Sequence, residues 1–407
     1  MSRFAVAVVG ATGAVGREML ATLHRRGFPV GSLRLLASAR SAGARLGTPW
    51  GEVEVEDLAT ADPAGIEVAL FSAGGARAIE HAPRFAAAGA VVVDNSSAWR
   101  MDPQVPLVVA GVNDAAARTH RGIIANPNCT TMVLLMAVAP LHRAAGLESM
   151  VVASYQAVSG SGQRGMDTLS AEIGHFSRDP AALQFGGWED PGGETYARPI
   201  GFNVLPLAGA LAEHGYTDEE WKLVNETRKI LDAPGVAVEP TCVRVPVMVG
   251  HGLAASCWFS RPLGVEEAGR LITGAPGVEL WADKVPTPLD CAGRDEVLVA
   301  GCGRRWAARA GSRSGWWATT CGKGPPSTRS RSPSWWSKPR TAAGDQPGRW
   351  QAEVGRGHSH RLGSGRPRLR AFRPSPGSRC RACGGRRRTA CRAGRRCSPP
   401  APRCRAP

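Results

Sequence analysis

The chain has 407 residues and a formal net charge of +16, with 50 Lys+Arg against 34 Asp+Glu. That length holds two ordinary domains with a substantial core. The charge is split: residues 1–300 carry 24 Lys+Arg against 32 Asp+Glu, net −8, and residues 301–407 carry 26 against only Asp345 and Glu353, net +24. A uniformly basic nucleic-acid-binding protein is therefore excluded for the first 300 residues.

In chain order, "FAVAVVG" reads as a buried strand, "GREMLATLHRRG" as a helix with a glycine stop, and "SLRLLAS" as a second strand. "EVALFSAG" and "AVVVDNSS" follow as short apolar strands with turn residues behind them. Strand, glycine turn, helix and strand within about thirty residues is a βαβ unit, and its repetition predicts an α/β domain with a parallel sheet. "IIANPNCTTMVLL" then sets Cys129 between an Asn-Pro-Asn turn and an apolar helix-like run. From "SMVVASYQAVSG" through "PTCVRVPVMVGHGLAASCWFS" the apolar runs lengthen and alternate. That pattern predicts a second domain with a mostly antiparallel sheet. After about Val299 the periodicity stops and Arg, Gly, Pro and Ser dominate, a composition that predicts disorder.

Only four cysteines (129, 242, 257, 291) fall in the first 300 residues, so no disulfide framework is expected there. The N-terminus enters a strand by Phe4 without a charged segment or cleavage site, and the longest apolar run, "TMVLLMAVAPL", is too short to span a bilayer. A cytoplasmic protein with no membrane partner and no metal is expected.

Two motifs carry chemistry. "VVGATGAVG" places Gly10, Thr12, Gly13, Ala14, Val15 and Gly16 at a strand-to-helix turn, where backbone N–H groups and the helix dipole hold a pyrophosphate. The second strand ends without an acid for a ribose hydroxyl; "ASARSAG" instead offers Ser38, Arg40 and Ser41, which suits a 2′-phosphate and predicts NADP(H) over NAD. Cys129 at a helix N-terminus is expected to gain thiolate character from the dipole. A nucleophilic thiol needs a proton-handling partner, and His251, flanked by glycines in "VMVGHGLAAS", stands out among nine histidines.

At this point the chain resembles the aspartate-β-semialdehyde dehydrogenase family. "GATGAVG", "ASARSAG", "DNSSAWRM", "NPNCTT", "SYQAVSGSGQ", "GFNVLP", "TDEEWKLVNETRKIL", "PTCVRVPVMVGHG" and "PTPLD" match its motifs in order over nearly all of residues 1–300. The resemblance implies NADPH-dependent reduction of L-aspartyl-4-phosphate to L-aspartate-4-semialdehyde with release of phosphate, a step toward lysine, methionine and threonine. It implies an NADP-binding Rossmann domain over 1–128, a catalytic and dimerisation domain over 129–300, and a homodimer or homotetramer. On matching positions it implies Cys129 as nucleophile, His251 as acid/base and Gln156 as the residue orienting the thioester. Asn128 would bind substrate, Arg244 its carboxylate and Glu219 its ammonium, with Arg100 and Lys222 on the phosphate. Two cations for a dianion, one Arg for a carboxylate and one acid for an amine make chemical sense as a set.

The chain departs from the family after residue 300. Members end in a segment like GDNLRKGAALNAVQIAEL, and here "GWWATTCGKGPPSTRSRSPSWW" stands instead. Back-translated and read from the third base of each codon, Gly315 to Gly324 permits VVGDNLRKG. The expectation is a change of reading frame near residues 299–302, which would make the Arg-, Trp- and Cys-rich tail over 301–407 meaningless, including its CxxC spacing. A tail that is genuine would leave a damaged or inactive enzyme, or a nucleic-acid-binding arm. N-acyl-glutamyl-phosphate reductase is the rival inside the enzyme class; Glu219 and Lys222 weigh against it.

Overall fold

The computed structural model describes residues 3–304 and 315–322. Its first sheet has seven strands: β1 (Phe4–Val9), β2 (Val30–Ala37), β3 (Arg45–Thr48), β4 (Gly51–Asp57), β5 (Val68–Phe71), β6 (Val91–Asp94) and β7 (Ile123–Ala125). Their order is β3-β4-β2-β1-β5-β6-β7. All neighbours are parallel except the β3–β4 hairpin at one edge. The inner strands are nearly continuous apolar runs because both sheet faces are covered. Val6, Ala7, Val8 and Val9 are all buried.

Helix α1 (Ala14–Arg25) follows β1 and buries Met19, Leu20 and Leu23 against one face. It stops at Gly27, whose φ of +60° terminates the turn without a Cβ clash. Helix α2 (Gly75–Ala87) covers the other face with Ala78, Ala82 and Phe85, and the Phe85 ring meets Phe71 edge-on at 5.2 Å. The chain leaves β1 for β2 on one side and returns to β5 on the other. The strand order therefore reverses at β1, and such a switch point opens a crevice at the carboxyl ends of the strands.

Helix α3 (Cys129–Ala145) leads out of β7 to the second sheet. Its strands are β8 (Leu147–Gln156), β9 (Ala237–Arg244), β10 (His251–Phe259), β11 (Val278–Leu280), β12 (Val297–Arg304) and β13 (Gly315–Gly322), in the order β11-β12-β13-β10-β8-β9. Between β8 and β9 the chain forms α4 (Gly162–Phe176), α5 (Pro180–Phe185) and α6 (Asp218–Ile230); α7 (Val265–Thr273) precedes β11 and α8 (Pro288–Cys291) follows it. Val133, Leu134, Val138 and Leu141 of α3 pack with Leu223 of α6 and Ile272 of α7 onto Met150, Val152, Leu253 and Phe259 of the sheet. The opposite face leaves Val151 and Tyr155 exposed by nearly half.

The second sheet is mostly antiparallel: its three central pairings are antiparallel, and the outer β8–β9 and β11–β12 pairings are parallel. A parallel neighbour needs a crossover, which α4 to α6 provide for β9 and α8 for β12. One expectation needs correction: strand order runs past Val299. β12 extends to Arg304, and β13, with its aromatic and β-branched "GWWATTCG", pairs with both β12 and β10. The remaining tail, with its second Trp pair and its CxxC cysteines, lies outside the described residues.

Candidate active site

The glycine turn is shaped by close backbone approach. Gly10 has φ +86°, and a Cβ there would lie 2.3 Å from the Ser72 carbonyl oxygen behind β5. A Cβ on Gly16 would meet the Gly10 carbonyl at the same distance. Gly13 differs: its conformation is ordinary and its nearest neighbour would be 3.4 Å away. As the uncapped N-cap of α1, beside exposed Ala14 and partly exposed Thr12 and Val15, it leaves first-turn N–H groups facing outward. These residues fit a pyrophosphate. Ser38, Arg40 and Ser41 form a short turn directly after β2, with Arg40 exposed, and no carboxylate ends that strand.

Cys129 sits further along the same sheet, because β7 ends at Ala125 and α3 begins four residues later. Asn128 is the N-cap: its Oδ1 accepts from the Thr130 and Thr131 amides at 2.9 and 3.4 Å, an arrangement worth about 1 kcal/mol to the helix. His251 approaches from the second sheet, with Nε2 3.3 Å from the Cys129 Sγ. Strand register explains the company it keeps. His251 of β10 lies opposite Gln156 of β8, and Gln156 lies opposite Arg244 of β9. Three residues distant in sequence thus share one level of one sheet, and all are buried.

The local electrostatics overturn one expectation. The Cys129 thiol is pushed up to about 11, by burial first and by the Glu219 carboxylate second. Arg100 and hydrogen bonds from Thr130 oppose this and lose. Without substrate the residue is a neutral thiol, not a dipole-stabilised thiolate. Burial, with Arg244 nearby, pushes His251 down to about 4. The ring is therefore neutral, and its Nδ1 accepts the Ala157 amide at 3.0 Å.

The substrate-binding candidates converge, but with protein partners already in place. Arg244 donates from Nη1 to the Ala157 carbonyl at 2.9 Å, and its guanidinium lies over the Tyr196 ring at 6.0 Å. A Cβ on Gly160 would come within 3.1 Å of that Nη1. On α6, Lys222 donates to Glu219 at 2.6 Å and to Asp218 at 2.7 Å. Burial, the largest single effect, lowers the Lys222 pKa, but the two carboxylates together outweigh it and the pKa is raised. Glu219 accepts from Asn128 Nδ2 at 2.9 Å. Arg100 is buried and donates to the Asn126 carbonyl (2.9 Å), the Asn95 carbonyl (2.9 Å) and Glu226 (3.0 Å). Glu226, Tyr196, Asp218 and Ala157 were not singled out from sequence. Only Glu226 carried a readable signal, since it falls seven residues after Glu219 on the same face of α6.

Comparison with known proteins accords with this geometry. Residues 5–120 match the semialdehyde dehydrogenase NAD binding domain, and residues 138–304 the semialdehyde dehydrogenase dimerisation domain. The aspartate-semialdehyde dehydrogenase of Streptomyces akiyoshiensis is 52% identical over 301 residues, covering 72% of this chain and 87% of that protein. That of Mycolicibacterium smegmatis is 48% identical over 307 residues, with the same coverages. Among solved structures, aspartate semialdehyde dehydrogenase II from Vibrio cholerae superposes with a TM-score of 0.74 at 38% identity, covering 79% of this chain and 93% of that one. The same enzyme complexed with ASA gives 0.73, again at 38% identity, over 79% and 94%. The chain belongs to the aspartate-semialdehyde dehydrogenase family.

Proposed function

We propose that this chain reduces L-aspartyl-4-phosphate to L-aspartate-4-semialdehyde, releasing phosphate and taking up one proton. The observation that carries the reading is the Cys129 Sγ at 3.3 Å from His251 Nε2, at the N-terminus of α3. The glycine turn at Gly10 to Gly16 would hold the pyrophosphate of NADPH, and Ser38, Arg40 and Ser41 its 2′-phosphate; the bound cofactor would supply the hydride. The semialdehyde dehydrogenase match over residues 5–120 supports a dinucleotide there.

The Cys129 sulfur attacks the acyl carbon and the bond to the phosphate oxygen breaks; the thiol proton leaves on the departing phosphate, and the acyl group is held as a thioester on the sulfur. Nδ1 of His251 accepts a backbone N–H, so the neutral ring carries its proton on Nε2, facing the reacting atoms. From there it donates to the oxygen that gains charge when the thioester is reduced, and takes the proton back as the aldehyde is released. Gln156, in register beside His251, orients the carbonyl. Arg244 receives the α-carboxylate and Glu219 the ammonium. Asn128 lines the same pocket, and Lys222 and the two N–H groups that Arg100 has not committed hold the phosphate.

An ammonium on Glu219 would also remove one of the causes that hold the thiol neutral. Substrate binding thereby favours ionisation of its own nucleophile. The match to a dimerisation domain and the exposed Val151 and Tyr155 on the open face of the second sheet support a homodimer formed there, with a tetramer as a higher assembly. Sedimentation velocity distinguishes these. The activity is tested by following NADPH at 340 nm with aspartyl phosphate, against N-acyl-glutamyl phosphate as the rival substrate. Turnover of the second and not the first would overturn the reading.

A further inference from the structure

Glu226 is 1% exposed and lies on α6 with Glu219 and Lys222, at the helical spacing that puts all three on one face. Its two oxygens go to two different segments. Oε2 accepts the main-chain N–H of Asn128 at 2.6 Å, and Oε1 accepts Arg100 Nη1 at 3.0 Å. Asn128 is the N-cap residue immediately before Cys129. Arg100 is further fixed by the carbonyls that follow β6 and β7, those of Asn95 and Asn126. Burial raises the Glu226 pKa, while the Arg100 charge and the Asn128 N–H favour the ionised form; a carboxylate offers two acceptor oxygens, whereas an amide of the same shape offers one. A buried carboxylate is costly unless paired, and hydrophobic neighbours such as Leu223 and Ile230 already anchor α6. Packing alone does not call for an acid at this position.

We propose that Glu226 is a positioning residue that clamps the nucleophile's N-cap to Arg100. One carboxylate sets both the direction in which Cys129 is presented and the direction of the free N–H groups of Arg100. It also offsets the Arg100 charge, which acts on the thiol. The proposal rests on the reading of Cys129 as nucleophile and Arg100 as a phosphate ligand, and its test has an arm that needs no turnover.

The experiment compares Glu226→Gln with the unaltered chain by steady-state kinetics and by the pH dependence of Cys129 alkylation with iodoacetamide. The amide leaves one clamp bond without an acceptor and leaves the Arg100 charge uncompensated. We expect kcat to fall at least tenfold while the alkylation midpoint moves to lower pH: a thiol that ionises more readily in an enzyme that turns over more slowly. Loss of packing alone would not lower that midpoint. The double variant Glu226→Gln, Arg100→Lys should lose no more activity than the worse single variant, because the two act as one unit. If Glu226→Gln does not fold, Glu226→Asp, which keeps the charge but is too short to reach both partners, should lower kcat without moving the midpoint. An unchanged kcat, an unmoved midpoint in Glu226→Gln or additive losses would overturn the proposal. If the chain does not reduce aspartyl phosphate, the functional reading fails, and the alkylation profile still decides the clamp.

Discussion

The main-chain N–H of Ala157 donates to Nδ1 of His251 at 3.0 Å, and this bond sets the protonation of the ring beside Cys129. With Nδ1 occupied as an acceptor, a neutral imidazole must hold its proton on Nε2, 3.3 Å from the sulfur. Nitrogen-15 spectra of histidine-labelled protein at pH 7 should show His251 as a neutral Nε2–H tautomer. An Nδ1–H or doubly protonated ring would contradict the mechanism, since neither leaves the amide of Ala157 with its acceptor.

The same burial predicts an acid limit to stability. In the folded chain His251 is held down to about 4, from an ordinary value of 6.5. As pH falls from about 6.5 to 4 the unfolded chain takes up a proton that the folded chain refuses, so stability decreases over that window. At about 1.4 kcal/mol for each pH unit the loss is on the order of 3 kcal/mol. Urea titrations at pH 7 and pH 4.5 should show the drop in the unaltered chain and a smaller one in His251→Gln. The thiol acts at the other end: with Cys129 raised to about 11, its contribution is present below about 9 and is lost as pH rises through about 11.

Two glycines of the same turn should respond oppositely to alanine. Gly10→Ala forces a Cβ to 2.3 Å from a backbone oxygen at positive φ, so a large fall in Tm is expected. Gly13→Ala meets no such obstacle inside the protein and should leave Tm nearly unchanged. Its methyl group instead intrudes where the pyrophosphate is expected, raising the KM for NADPH by about tenfold or more, equivalent to about 1.4 kcal/mol. A normal KM in Gly13→Ala would remove the phosphate-binding role from this turn.

Arg244→Lys keeps the charge but loses the planar fork and its stacking over Tyr196. One charge-assisted hydrogen bond is worth about 1.5–3 kcal/mol, so kcat/KM for the semialdehyde should fall on the order of 10- to 100-fold, chiefly through KM. An unchanged KM would place the substrate carboxylate elsewhere.

Sequencing the gene across the codons for residues 290–340 tests the expected change of reading frame. The dimerisation-domain match ends at residue 304, and the Streptomyces relative covers 72% of this chain. Restoration of GDNLRKG by a single shift is the expected result. A frame that stands as written would end the expectation.

What could be read in the sequence was local. Gly10 to Gly16, Asn128 with Cys129, and the glycine-flanked His251 all have signatures within a few residues, as does the run of buried parallel strands. The family resemblance supplied Arg100, Glu219, Lys222 and Arg244, but not their partners. The β3–β4 hairpin escaped notice because "GEVEVED", one strand in from the sheet edge, alternates acids with valines and reads as polar surface. The direction of the Cys129 shift was misread because a helix N-terminus is visible locally. Burial, and the approach of Glu219 from ninety residues away, exist only in the folded chain. The threefold commitment of Arg100 is tertiary in the same way.

Cys129 is the proposed covalent nucleophile on which every other role depends. The most direct measurement is the intact mass of the protein mixed with aspartyl phosphate without NADPH, followed by addition of NADPH. An aspartyl adduct on Cys129 that disappears as semialdehyde forms is expected, with neither adduct nor turnover in Cys129→Ala. Turnover surviving in Cys129→Ala, or an adduct on another residue, would contradict that role.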